Sequence, residues 1–160
     1  MSGHPEPGPQ DARTISLTRV YAAPRALVFA MWTDPAHLNK WCHPRDFTIA
    51  DSGGDMRPGG AWHSTIRAPD GSDYRMVGEY REVVPDTRLV FTHAWIDEDG
   101  VPGVERIITI PLDDAGEGRT RLSFHEAPFD DTGARDSNAE GWAEVLENLG
   151  GYLERTMAAR

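Results

Sequence analysis

The chain has 160 residues, with 26 Asp plus Glu against 16 Lys plus Arg and a net charge of −10. That length supports one hydrophobic core without a metal or disulfide staple, and the single cysteine, Cys42, cannot form an internal bridge. The acidic balance has the wrong sign for gripping phosphate backbones or anionic lipid, so neither nucleic acid nor a membrane is an expected partner, and a cytoplasmic location is expected in the absence of a leader-like or spanning segment.

Residues 1–12 are Pro, Gly and polar residues with hardly a large apolar side chain among them, and are expected to form a loose tail, leaving 13–160 as the folded domain. Ile15, Leu17 and Tyr21 then alternate with polar residues, the period of a half-buried strand over 13–21. Pro24 at a first helical position, followed by an unbroken apolar run to Trp32, predicts a short buried helix. Asp34 as N-cap with Pro35 at N1 predicts a second, ending near Trp41. Six strand-like segments follow, at 47–52, 61–67, 74–84, 88–95, 104–112 and 120–126, separated by Gly, Pro and Asp turn chemistry such as Pro58-Gly59-Gly60 and Pro69-Asp70-Gly71. No gap between them has room for a crossover helix, so they read as an antiparallel meander.

The last segment returns to helical spacing. Ser137 and Glu140 form a capping box, after which Trp142, Val145, Leu146, Leu149, Leu153 and Met157 share one face of a helix over 137–157. Gly150-Gly151 within it marks a bend or a close approach. The fold class is α+β: a curved antiparallel sheet wrapped around a long C-terminal helix, with two short helices after the first strand and a cavity between sheet and helix.

Alternation places Trp62, Ser64 and Ile66 on one strand face, Met76 with Tyr80 on another, and Phe91, His93 and Trp95 on a third. Turned toward the last helix, these faces predict a ligand wall of Trp62, Ser64, Met76, Tyr80, Phe91, His93, Trp95, Ile108, Phe124, Trp142 and Leu146. Trp32 and Trp41 are expected in the core. Arg106 shares a face with Ile108 and Ile110, where it either snorkels to solvent or anchors an acidic ligand. His125 and Glu126 are consecutive on a strand and point to opposite faces. His37, Cys42 and His43 cluster in sequence without the further ligands a metal needs, and no metal or cofactor is called for. Gly59-Gly60 lacks the GK[ST] of a phosphate loop and reads as a turn oriented by Asp55 and Arg57.

The ordered set Ala23-Pro24, Val28-Phe29, Trp32, Thr33-Asp34-Pro35, Trp41, Asp55-Met56-Arg57-Pro58-Gly59-Gly60-Ala61-Trp62, Gly78-Glu79-Tyr80, Leu89-Val90-Phe91-Thr92 and Gly141-Trp142 resembles the branch homologous to the C-terminal domain of the activator of the heat-shock protein 90 ATPase, within the START-like, polyketide-cyclase-like (SRPBCC) superfamily. The resemblance implies a helix-grip fold whose members mostly bind hydrophobic small molecules, a minority catalysing cyclisation or dehydration of a bound ligand, and the acidic single-domain form is typical of bacterial members. Three functions compete: binding of a small hydrophobic or aromatic ligand, a cyclase or dehydratase using His93, Tyr80 or Glu126 as acid and base in the same cavity, and a chaperone-activator-like protein-interaction module. The strands do not read as a closed barrel, so edge pairing into a homodimer is also open to the chain.

Overall fold

The computed structural model describes residues 13–160; the expected tail over 1–12 lies outside them. Strand β1 (Ile15–Tyr21) leads into α1 (Arg25–Thr33) and α2 (Pro35–Leu38), then a run of β2 (Thr48–Gly54), β3 (Ala61–Arg67), β4 (Asp73–Val84), β5 (Arg88–Ile96), β6 (Arg106–Gly116) and β7 (Arg119–Ala127), and ends in α3 (Thr132–Ala158). The strands form one antiparallel sheet in the order β1-β7-β6-β5-β4-β3-β2, a meander whose last strand is met by the first. That long-range pairing is in register from Ile15 opposite Glu126 to Tyr21 opposite Thr120.

Several element boundaries differ from the sequence reading. Helix α3 begins upstream of Ser137, because the Asp131 side chain accepts a hydrogen bond from the Ala134 amide and caps it there. Pro24 has extended backbone (ψ 155) and is the N-cap of α1 instead of its first residue. Helix α2 stops at Leu38, and Trp41 beyond it turns inward, its indole donating to the Met31 carbonyl at 3.1 Å. Strand β6 starts at Arg106 and continues past Leu112 to Gly116. The Asp34 cap on α2 forms as expected, accepting from the Ala36 amide.

The core joins Ile15 and Tyr21 of β1, Val28 and Met31 of α1, Ile108 and Ile110 of β6, Leu122 and Phe124 of β7, and Leu146, Leu149 and Leu153 of α3. Each such side chain contributes roughly 1.5–3 kcal/mol by leaving water. Two buried hydroxyls lock the layers: Tyr21 donates to the Leu146 carbonyl at 2.8 Å, and Thr120 donates to the Ala23 carbonyl at 2.7 Å. The glycine pair in α3 marks a close approach, since a methyl at Gly150 would touch the Tyr21 ring at 3.4 Å. The loop after α2 is tied to α3 by Asn148, which donates to the His43 carbonyl, and by the Arg45–Glu147 ion pair at 3.0 Å.

Gly78 controls the opposite half of the sheet. The Trp62 indole crosses β4 at this position and donates to the Thr92 carbonyl at 3.1 Å. A Cβ at Gly78 would collide with both the Thr92 carbonyl and the indole ring. Gly78→Ala is therefore expected to cost about 3 kcal/mol and lower Tm by roughly 10 °C, measured by thermal unfolding.

Candidate functional site

Between the β2–β5 half of the sheet and the two short helices lies a cavity of about 250 Å³. Helix α1 contributes Trp32, α2 contributes Leu38, and the next loop contributes Cys42. The sheet supplies Ile49 from β2, Trp62 and Ser64 from β3, Met76 and Tyr80 from β4, and Leu89, Phe91 and His93 from β5, while α3 adds Trp142 alone. A second cavity of about 300 Å³ lies beneath the first half of α3, walled by Ser137, Asn138, Gly141, Trp142 and Val145, by His43 and Pro44, and by Ile66, Met76, His93 and Trp95. Cys42, Met76, His93 and Trp142 border both.

Of the wall expected from sequence, Trp62, Ser64, Met76, Tyr80, Phe91, His93 and Trp142 come together around the first cavity, and Trp95 faces the second. Ile108, Phe124 and Leu146 border neither; they are fully buried in the core. The reason is the seat of α3, whose leucines join the core with β1, β6 and β7, so that the first cavity lies mainly under α1 and α2. The second cavity occupies the space expected between sheet and last helix, and the first adjoins it beside the short helices. Trp32 combines both roles: it is buried, packs edge-on against Trp41 at 4.6 Å, stacks toward Trp142 at 6.5 Å, and faces the first cavity. Periodicity missed Leu38, Ile49 and Met56, because they are recruited by the way helix α2 and strand β2 fold over the sheet.

Aromatic rings make most of the wall. Trp62 meets Phe91 edge-on at 5.8 Å, Phe91 meets Tyr80 at 6.1 Å, and His93 lies 5.3 Å from Trp95 and 6.4 Å from Trp142. Among the described residues no Asp, Glu, Lys or Arg borders either cavity, and His63, at the edge of the first, faces Asp51 at 3.2 Å. Burial pushes the Tyr80 hydroxyl and the Cys42 thiol each up to about 12, so both stay neutral.

The exception to this apolar character stands behind the wall. The His93 and Glu126 side chains are 4% and 1% exposed, with Nδ1 of His93 3.7 Å from Oε2 of Glu126. That separation is too long for a hydrogen bond, and His93 Nδ1 and both Glu126 oxygens lack a partner at full hydrogen-bond geometry, with the Trp142 indole as the donor beside the carboxyl. Each such atom costs on the order of 1–3 kcal/mol against a satisfied one. Burial raises the Glu126 carboxyl to about 7, against the opposing pull of the Arg106 guanidinium and the Trp142 indole, and burial together with Arg106 lowers His93 to about 4. The signal for Glu126 was in the sequence: it follows Leu122 and Phe124 at period 2, which places a carboxylate on the inward face. His125 points the other way, to Ser16 on β1 at 3.1 Å.

Arg106 borders neither cavity; it donates to the Pro128 carbonyl and lies over the Phe129 ring, 4.0 Å from its centroid. His37 pairs with the Tyr152 hydroxyl at 2.8 Å, and His43 Nδ1 with the Pro44 carbonyl at 3.0 Å, so the sequence cluster with Cys42 disperses. Among the described residues no group of three or more His, Cys, Asp or Glu side chains is placed to hold a metal ion. Asp55 and Arg57 form an exposed ion pair at 2.6 Å in their turn.

A curved antiparallel sheet gripping a C-terminal helix beside an apolar cavity is the helix-grip architecture. The family model described as Activator of Hsp90 ATPase homolog 1-like protein matches residues 22–154, and the chain belongs to that family. Solved structures agree. The AHSA1 protein of Silicibacter pomeroyi is 25% identical, with a TM-score of 0.82 over 89% of this chain and 99% of its own. A protein of Chromobacterium violaceum is 30% identical, with a TM-score of 0.78 over 87% and 96%. One of Nitrosomonas europaea is 27% identical, with a TM-score of 0.76 over 92% and 97%. No functionally curated protein matches the chain.

The pair predicts opposed pH dependences. Glu126, raised from 4.5 to about 7, contributes stability that is full below 4.5 and is lost as pH rises through 7. His93, lowered from 6.5 to about 4, contributes stability that is full above 6.5 and is lost as pH falls through 4. In the wild type the two slopes largely cancel. Relative to wild type, Glu126→Gln is expected to gain roughly 3 kcal/mol between pH 4.5 and 7, and His93→Gln to lose a similar amount between pH 4 and 6.5, both read from urea melts across that range.

Proposed function

We propose that the protein binds a small, uncharged hydrophobic or aromatic molecule in the cavity walled by Trp62, Phe91, Tyr80, His93 and Trp142. The observation that carries this reading is a void of about 250 Å³ left open within an aromatic wall that bears no charged side chain. A packed core closes such space, and a site for an ionic ligand places a counter-charge in it. The volume of about 250 Å³ lies just below the range for small-molecule sites, roughly 300–1,000 Å³, and suits a compact ligand of two or three rings. Membership of a family whose superfamily typically binds hydrophobic ligands supports the same reading. A protein-interaction module would instead present a contiguous apolar exterior over a sealed interior, and here the interior is open. The cyclase or dehydratase reading draws on one specific observation, the convergence of His93 and Glu126.

The uncharged fluorophore N-phenyl-1-naphthylamine tests the proposal. Its emission is expected to rise on mixing with the protein and to be insensitive to salt, because apolar area and not ionic steering drives the binding. Phe91→Ala is expected to weaken it by roughly tenfold or more and His93→Gln by less than about twofold, since area supplies most of the affinity for a ligand whose one polar group is a weak N–H donor. Thermal unfolding of each variant separates lost binding from lost fold. A flat titration with the folded wild type would remove the binding reading.

A further inference from the structure

The buried pair behind the cavity supports a more specific inference, which rests on the ligand-binding reading above. His93 borders both cavities. Nδ1, which faces Glu126, is among the sealed and unpartnered atoms and Nε2 is not, so the role toward the cavity falls to Nε2. The pair is held by backbone register: on β6, Arg106 lies opposite His93, and Ile108 lies opposite both Phe91 and Glu126. The groups that surround it are Arg106 from β6, Tyr80 from β4, Trp142 from α3, and Cys42 and His43 from the loop after α2. Among these Arg106 carries the one permanent charge, and it is engaged with Pro128 and Phe129.

A neutral imidazole carries one proton, and the partner of one nitrogen decides the role of the other. With Glu126 ionised, Nδ1–H donates to the carboxylate and Nε2 presents a lone pair to the cavity. With Glu126 protonated, its O–H donates to Nδ1 and Nε2–H becomes a donor. We propose that His93 Nε2 is the polar anchor for the cavity's ligand, taking one hydroxyl or one carbonyl on an otherwise apolar, uncharged ring system, and that Glu126 is the positioning residue that decides which of the two the imidazole recognises. The 3.7 Å gap closes when the ligand completes the chain, as hydrogen bonds that are long in an empty site tighten in the complex. Burial keeps His93 neutral near pH 7 and brings the Glu126 carboxyl to half-ionisation there, so the preference passes from carbonyl to hydroxyl as pH rises.

Three compounds of one ring skeleton test this by displacement of N-phenyl-1-naphthylamine: indane, 5-indanol and 1-indanone, each at pH 6 and pH 8. The ratio of 5-indanol to 1-indanone affinity is expected to increase at least about fivefold from pH 6 to pH 8 in the wild type, the worth of one hydrogen bond gained or lost, while indane is unaffected. Glu126→Gln, which keeps the shape and cannot ionise, is expected to hold the ratio constant across that range, and thermal unfolding checks that it is folded. If indane displaces the fluorophore but the wild-type ratio does not change with pH, or if Glu126→Gln retains the change, the anchor is overturned and ligand binding stands. If neither the fluorophore nor any of the three compounds binds, the binding reading falls and the anchor with it.

Discussion

A seven-stranded sheet is wider than one helix can cover. At about 4.8 Å between strands it spans roughly 29 Å, whereas a helix with its side chains is about 10–12 Å across. Helix α3 joins the core with β1, β6 and β7, where Leu146, Leu149 and Leu153 meet Ile108, Ile110, Leu122 and Phe124 and Tyr21 bonds the Leu146 carbonyl. Helix α1 packs against β6 and β7 as well, so β2 to β5 are covered only in part, by α2, the loop after it and the first half of α3, and space remains beneath them. The cavities follow from that mismatch of widths.

The same geometry explains the composition of the wall. Where the second half of α3 lies on the sheet, its leucines interdigitate with the core; beneath its first half and beside the short helices, broad rings bridge a larger gap. Trp142 stands at the boundary, on the core helix and yet in contact distance of Phe124 at 4.5 Å, Trp32 at 6.5 Å and His93 at 6.4 Å. Gly78 belongs to the same design, since its missing side chain lets the Trp62 indole lie across the strand and reach the Thr92 carbonyl.

Against this apolar background His93 and Glu126 are the ionisable polar expense of the interior, their facing atoms unpartnered among the described residues, as is the buried Trp32 indole N–H. An apolar pair of similar size would give a more stable protein. Their opposite pKa shifts have one cause, removal from water, which disfavours the charged form of each and leaves two neutral groups able to exchange donor and acceptor roles.

Much of this was legible in the residues. Turn chemistry and period-2 alternation gave the antiparallel meander, Asp34-Pro35 gave the second helix, and the leucine spacing gave α3, because these signals are local and set by backbone sterics and the burial of one face. Alternation also put Trp62, Ser64, Phe91 and His93 on inward faces. Only the tertiary structure decided that the leucine half of α3 would pack into the core with β1, β6 and β7, sending Ile108, Phe124 and Leu146 there and bringing Leu38, Ile49 and Met56 to the wall. It alone brought Glu126 to within 3.7 Å of His93, which lies 33 positions earlier in the chain, from 126 minus 93, and two strands away. Periodicity states which face a side chain takes; how far two inward groups on different strands stand apart depends on register, twist and the helix that presses on them.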